Sequence, residues 1–413
     1  MKDITPAVKP FPFKKLLLAT DKAEVLLLAG EIGRALGLSV YLVGGPVRDF
    51  FLGRPLKDLD LVVEGDPGPL ARRLSRSLRG KLTGPTPFNT YKIRYAGGEV
   101  DVALARREVY PAPAALPQVS PAGILEDLSR RDFTANALAV GLSGPWQGKL
   151  LDPFEGLADL RAGFLRVLHR NSFVDDPTRI FRGARYAVRF GWRFHRQTSE
   201  ALGQAYLRES PLLLTPARIR AELARLLSEP SPGQVLGCLE EAGLWLSLEL
   251  PPPPAAFPRD LLGELSPERA LKALILTLTH GNPEKASRLG LSPEEAHRYA
   301  EEFTRARSTL SQMPPGLSPS EIFLRLRAFS AEVLVAAAWE TGKTALALEH
   351  LRQRKIRPFL SGKDLLQEWG LSPGPLVGRL LEALLLARLD GRVKTRDDEL
   401  NLVHQLLKEA QER

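Results

Sequence analysis

The stretch from Tyr41 to Glu64 reads YLVGGPVRDFFLGRPLKDLDLVVE, and the rest of the chain is organised around it. An apolar run ends in Gly44 and Gly45, and Arg48 and Asp49 follow. A short basic turn then leads to Asp58 and Asp60, one residue apart at the start of a second apolar run. This pattern predicts strand, glycine turn, helix start and second strand.

Each part has a chemical use. Gly44 and Gly45 lack a Cβ, so a bound group can come close to the backbone. The N–H groups of the turn and of the helix start would then face an anion such as a triphosphate. Arg48, one helical turn in, would add a forked donor to phosphate oxygens. Asp58 and Asp60, at i and i+2 of a strand, share one face about 6–7 Å apart, with Leu59 and Leu61 on the other. Two such carboxylates repel each other unless a cation lies between them. Hard oxygen ligands beside a phosphate substrate imply Mg2+, held by Asp58 and Asp60. A pair of ions would activate an attacking hydroxyl and hold a leaving pyrophosphate. A lone GG or a lone DxD reads as well as a turn or as exposed strand acids. The two together, with Arg48 between, favour a site.

This spacing resembles the signature of the polymerase-β-like nucleotidyltransferase superfamily. The resemblance implies a third carboxylate on a later strand between apolar residues. Val100-Asp101-Val102 fits, which adds Asp101 to Asp58 and Asp60 as catalytic candidates.

Composition bounds the rest. At 413 residues there is room for two to four domains. With 25% charged and 44% hydrophobic residues the chain is globular rather than disordered. Its net charge of +9 suits a polyanionic partner such as RNA. One cysteine, Cys238, excludes an internal disulfide and a cysteine metal cluster, and a cytoplasmic location is the simplest expectation. The opening MKDITPAVKPFPFKK lacks signal-peptide architecture. No apolar run reaches the ~20 residues that span a bilayer, so no membrane is expected.

Along the chain, residues 20–37 have helical periodicity, and Asp66 to Leu78 reads as a helix with proline in its first turn. Lys81–Leu82, Tyr91–Tyr95 and Glu99–Ala103 read as strands. The proline-rich segment 106–125 has no periodicity and is expected to be a functional lid or disordered. From Glu126 a helix is predicted through EDLSRRDFTANALAV, and helices dominate from Asp175 to the end. PPPPAAFP at 251–258 and MPPGLSP at 313–319 are the clearest linkers.

Two further constellations carry chemistry. On the predicted helix, Arg131 and Asp132 set a donor fork beside an acceptor, and Asn136, four residues past Asp132, shares their side. Such a cluster can hold ribose hydroxyls and a phosphate, although a solvated helix face with an ion pair would look the same. In SFVDDPTRIFRGARYAVRFGW, residues 172–192, Asp176 precedes Pro177 at a helix start, and Arg179 lies three residues on. Cytosine and adenine each place an exocyclic amino group beside a ring-nitrogen acceptor. Asp176 could accept from the first and Arg179 donate to the second, whereas guanine and uracil would present a carbonyl to the carboxylate. Arg182 and Arg185 drift around the helix, nearer a triphosphate. The alternative is an amphipathic helix with Ile180, Phe181, Ala184 and Ala187 inward.

RRDFT-x-NA resembles the ribose-reading motif of the class II tRNA nucleotidyltransferases, and DDPTR and R-xx-R-xx-R resemble their base-recognition and nucleotide-binding motifs. One departure is Asp175, where the family usually has glutamate. The resemblance spans roughly residues 38–240 and 355–405. It implies an α+β fold: a polymerase-β-like head with a small mixed sheet, then an all-helical neck, body and tail. The divisions fall at 1–170 for the head, 171–248 for the neck, 249–355 for the body and 356–413 for the tail. It implies addition of C and A to the tRNA 3′ end from CTP and ATP, with Mg2+ as cofactor and the tRNA acceptor arm on the helical part. CC-only addition, A-only addition and poly(A) polymerisation share these motifs and stay open, and the family attributes the switch from C to A to the loop here at 106–125. A small-molecule nucleotidyltransferase fits the long basic helical extension poorly. A non-catalytic RNA-binding protein would be marked by loss of Asp58 or Asp60, and both are present.

Overall fold

Residues 8–411 are described in the computed structural model. Residues 1–7, which hold much of the opening stretch expected to lack a signal peptide, lie outside the described residues. The chain divides into two compact units. One joins Met1–Leu214 with Glu229–Leu248, and the other joins Thr215–Ser228 with Glu249–Arg413. Residues 171–214 and 229–248 therefore fold in the same unit as the sheet.

The first unit is built on strands β1 (Val8–Pro10), β2 (Ser39–Val43), β3 (Leu59–Glu64), β4 (Lys81–Thr83), β5 (Thr90–Tyr95), β6 (Gly98–Leu104), β7 (Arg106–Val109), β8 (Gln118–Pro121), β9 (Ala139–Gly141) and β10 (Lys149–Leu151). Eight of them form one sheet in the order β1-β10-β9-β2-β3-β6-β5-β4, while β7 and β8 pair separately. Within the large sheet β3 and β6 run parallel, and the other pairs are antiparallel. The mixed α+β head expected from the sequence is therefore present, followed by helices.

Alternation within β3 divides the two faces. Leu59, Leu61 and Val63 are almost fully buried on one side. Val62 on the other joins Tyr41, Val43, Ala139, Ile124 and Leu128 in a second apolar layer. Helix α1 (Phe13–Leu18) precedes α2 (Ala23–Ala35), and α3 (Gly45–Phe51) follows the glycine turn. Helix α4 (Pro67–Ser77) packs on β3, β5 and β6. Its N-cap is Asp66, which accepts from Gly68 N at 2.9 Å ahead of the proline-started turn.

Two sequence expectations are corrected. Segment 106–125 is not the disordered stretch that was one of its two expectations: β7 and β8 make a hairpin in register from Arg106↔Pro121 to Val109↔Gln118 around an irregular connection. Its strands are too short for alternation to show, and the prolines gather in the connection. Nor does RRDFTANA continue a helix. Helix α5 (Ile124–Ser129) stops, and a 3-10 turn over Thr134–Asn136 leads into β9. Asp132 accepts from the next residue's backbone, Phe133 N, at 2.8 Å. This local bond is the alternative that takes aspartate out of helices.

The second unit is helical, and its chain punctuates itself. Ser266, Asn282, Ser292 and Ser318 each cap a helix, accepting from the N–H three residues on, with proline next in sequence. Leu360, Leu365, Leu380, Leu384 and Val403 form a separate small core near the end of the chain.

Candidate active site

β3 and β6 bring two acids together by register alone: Asp60 on β3 is the direct partner of Asp101 on β6. Neighbouring strands lie about 4.8 Å apart, so the two side chains stand in one row on one face. Asp58, just before β3, is exposed, while Asp60 and Asp101 are half-buried. Burial pushes the Asp60 carboxyl up, and Asp101 and Asp58 push it the same way against the charges of Arg131 and Lys92. Asp101 Oδ1 is buried and has no hydrogen-bond partner among the described residues. Lys92 Nζ lies 3.2 Å from it, an ion-pair distance.

These residues fit a hard divalent cation. The donors are carboxylate oxygens, one of them has a lone pair to spare, and the row carries mutual repulsion that a cation would relieve. Among the described residues no group of acids, histidines or cysteines closes a cage by itself.

The glycine turn sits at the end of β2. Gly44 has φ 69 and ψ −124, and a Cβ on it would meet Arg131 Nη1 at 2.6 Å. The backbone conformation therefore demands glycine, and a side chain there would also push the Arg131 guanidinium aside. A Cβ on Gly45 would meet only Arg48 Nη2, at 3.7 Å, so the backbone there is open to a ligand.

Arg48 is not the exposed fork expected from the sequence. It is buried, with Nη1 donating to Asn136 Oδ1 at 2.7 Å and Nε donating to Asp49 Oδ1 at 2.9 Å. Its guanidinium lies 4.6 Å from the ring centre of Phe190. Asn136 Nδ2 donates to Asp132 Oδ1 at 2.9 Å, and Arg182 Nε donates to Asp132 Oδ2 at 2.8 Å. A continuous chain thus runs from Asp49 through Arg48, Asn136 and Asp132 to Arg182. Burial pushes the Asp132 carboxyl up, but Arg182, Asn136 and Arg179 outweigh it and hold it at about 2. Asp132 is accordingly a hub that fixes its neighbours rather than an open acceptor. The contact between Asp132 and Asn136 expected from helical spacing exists, made by a turn instead.

Arg131 faces the acid row. Its Nη2 donates to Asp127 Oδ2 at 3.0 Å, and its buried Nε has no hydrogen-bond partner among the described residues. An uncommitted buried N–H beside the glycine turn is a donor held in reserve. Asp127, fully buried, also accepts from Arg130 and from Arg106 N. Sequence reasoning passed over Asp127, although its spacing four residues before Arg131 in EDLSRRD was a signal.

Helix α6 (Gly156–Ala162) and the one-turn α7 (Ser172–Asp175) precede helix α8 (Thr178–Phe190), in which Ile180, Phe181 and Ala184 are buried as expected and Ala187 only partly. Asp176 Oδ1 accepts from Thr178 N and Oγ1, and Asp176 Oδ2 lies 4.0 Å from Arg179 Nε. Arg179 is buried. It donates to Ser172 Oγ at 2.8 Å and to the Arg130 carbonyl at 2.8 Å, with the Tyr110 hydroxyl 3.4 Å away. The carboxylate and guanidinium do stand side by side. Arg185 turns elsewhere, pairing with Glu229 at 3.6 Å, while Arg189 reaches the same carboxylate. No local signal marked Glu229, which lies 44 positions beyond Arg185 in sequence.

The β7–β8 hairpin reaches the neighbourhood of Asp176 and Arg179. Ala114 N donates to Val174 O at 3.0 Å, and Glu108 bridges Arg106 and Arg130 at 2.9 Å each.

Comparison with known proteins gives a consistent result. Residues 40–166 match the family model described as the poly A polymerase head domain. Over 409 residues the chain is 33% identical to the A-adding tRNA nucleotidyltransferase of Halalkalibacterium halodurans, covering 95% of both chains. It is 32% identical over 366 residues to the CC-adding tRNA nucleotidyltransferase of Deinococcus radiodurans, covering 87% of both. The Thermotoga maritima CCA-adding enzyme complexed with tRNA superposes with a TM-score of 0.73 at 27% identity, covering 97% of this chain and 99% of that one.

Proposed function

We propose that this chain, which belongs to the class II tRNA nucleotidyltransferase family, adds A to a tRNA 3′ end that already carries CC. Members of the family add C, A or both to the tRNA 3′ end from CTP and ATP and release pyrophosphate. The 3′-hydroxyl oxygen bonds to the α-phosphorus of ATP, and the bond from that phosphorus to the bridging oxygen of pyrophosphate breaks.

The observation that carries the site assignment is convergence. The Arg131 guanidinium stands against the Gly44 turn, and its charge acts on Asp60, the register partner of Asp101. Asp58 and Asp60 would hold Mg2+ with Asp101 beside them, and the ion would lower the pKa of the attacking hydroxyl and offset charge on the leaving pyrophosphate. Gly44 and Gly45 would let the triphosphate lie against the backbone, and Arg131 would donate to it. Asn136 has one amide N–H left for a ribose hydroxyl. Arg48 and Asp132 would fix Asn136, and Asp132 would fix Arg182. Asp176 and Arg179 would read the base, and Arg185 would steady α8 through Glu229.

Two observations favour A over C. The similarity to an A-adding enzyme runs through 95% of both chains. The hairpin also ties down the base reader, through Ala114 to Val174 and Tyr110 to Arg179. A base reader held in one setting suits one base. Complete CCA addition is the second reading, favoured by the fold shared with the Thermotoga maritima CCA-adding enzyme. A lone thiol and a tRNA substrate suit the cytoplasm.

The test uses purified protein, Mg2+ and three tRNA transcripts: one lacking CCA, one ending in C and one ending in CC. Each is given CTP, ATP or both. Addition of A to the CC end alone is expected. CCA built on the bare end would replace this reading with the complete activity, and growth of a long A tail would make the protein a poly(A) polymerase.

A further inference from the structure

The acid row does not end with two acids. Across the sheet Asp60 on β3 pairs in register with Asp101 on β6, and Asp101 pairs in register with Lys92 on β5. Residues in register across adjacent strands point to the same face. A lysine thus stands in line with the carboxylates that would hold a cation. Its ammonium is held from two sides: Lys92 Nζ lies 2.8 Å from Glu99 Oε2 and 3.2 Å from Asp101 Oδ1. Glu99 is two residues before Asp101 on β6 and shares its face, and Arg94 also pairs with it.

We propose that Lys92 is a built-in counter-cation of the acid row, resting against Asp101 when no metal is bound and withdrawing to Glu99 when one arrives. The proposal rests on the assignment of Asp58, Asp60 and Asp101 to the metal. Three acids on one edge repel each other, and a resident ammonium lowers that repulsion in the free protein. It does so without closing the site, because a carboxylate oxygen that faces the ammonium with one lone pair keeps a second for a metal. The oxygen stays ready for a metal. The shorter contact already goes to Glu99, so withdrawal needs only the longer one to open. Lys92 is a positioning residue, not a catalytic one. It sets how much metal the site requires, because an arriving dication must displace a charge that is already there.

The probe is Mn2+, followed by the loss of its free-ion EPR signal as it binds the full-length protein without nucleotide. Melting is followed in EDTA and in excess Mn2+. Lys92→Met is expected to bind Mn2+ about tenfold more tightly than wild type, since a like charge some 5 Å away is gone. It should melt below wild type in EDTA and together with it in Mn2+. Lys92→Arg should resemble wild type. Glu99→Gln should weaken Mn2+ binding by keeping the ammonium on Asp101, and this effect should vanish in the Lys92→Met background. Equal or weaker Mn2+ binding by Lys92→Met would overturn the proposal, as would a melting deficit that persists in Mn2+, the mark of a purely structural lysine. Asp60→Asn separates the two layers. If it abolishes Mn2+ binding while Lys92→Met changes nothing, the metal assignment stands and the lysine role falls. If it leaves Mn2+ binding intact, the metal assignment itself falls.

Discussion

Replacing Gly44 with alanine probes the tightest geometry in the site. The backbone at φ 69 and ψ −124 is a conformation that side chains rarely allow. An alanine there costs about 1–3 kcal/mol from the backbone alone. The new Cβ would also stand 2.6 Å from Arg131 Nη1, inside the approach that Cβ atoms tolerate. The guanidinium must move, which strains its 3.0 Å bond to Asp127. A charge-assisted bond of that kind contributes about 1.5–3 kcal/mol. The two costs can be separated in a cycle with Arg131→Ala, where the clash vanishes and the backbone cost remains. Urea unfolding of the full chain should show Gly44→Ala losing up to about 2.5–6 kcal/mol in wild type and about 1–3 kcal/mol beside Arg131→Ala. Displacing Arg131 by about 1 Å should also lower nucleotide addition by roughly 100-fold. If Gly44→Ala stays within about 0.5 kcal/mol of wild type and adds nucleotide normally, the turn is not what holds Arg131 against the acid row.

Other outcomes follow from the same geometry. Asp60→Ala should abolish addition while tRNA affinity, measured by filter binding, stays within a few-fold; near-normal turnover would remove the metal role. Arg179→Ala should relax base choice, seen as UTP or GTP incorporation, and unchanged selectivity would mean the base is read elsewhere. Asp132 is held at about 2 in the folded chain, against about 3.9 when unfolded. Its contribution is therefore complete above the unfolded value and is lost as pH falls through about 2. Wild type should then lose about 2–3 kcal/mol more than Asp132→Asn between pH 5 and pH 2 in denaturant titrations. Parallel acid profiles would show that Arg182 and Asn136 do not hold that carboxylate.

What the sequence disclosed was whatever its own local chemistry encodes. Period-two alternation placed Asp60 on the face opposite Leu59 and Leu61, and the fold keeps that separation. The proline after Asp176 marked the start of α8, and Ile180, Phe181 and Ala184 went inward. Gly44 was legible as a turn because positive φ leaves few other residues. The helix expected through Arg131 and Asn136 failed for an equally local reason. Its residues allow helix, but Asp132 finds a nearer partner in Phe133 N.

Partner choice was not local, and there the sequence was silent. Arg48 looked like a phosphate fork because nothing near it in the chain announces Asn136, 88 positions away. Arg185 looked like a companion of Arg182 near the triphosphate until the fold set Glu229 against it. Lys92 is the sharpest case. In sequence it is an ordinary polar residue of an alternating strand, the sort that faces water. Only the order β3-β6-β5, with β4 and β5 preceding β6 in the chain, puts its ammonium beside the acids. A charge row of this kind is written across three strands at one residue each, so no window along the chain contains it. Register is the quantity that has to be known, and a slip of one residue on β5 would turn Lys92 to the opposite face.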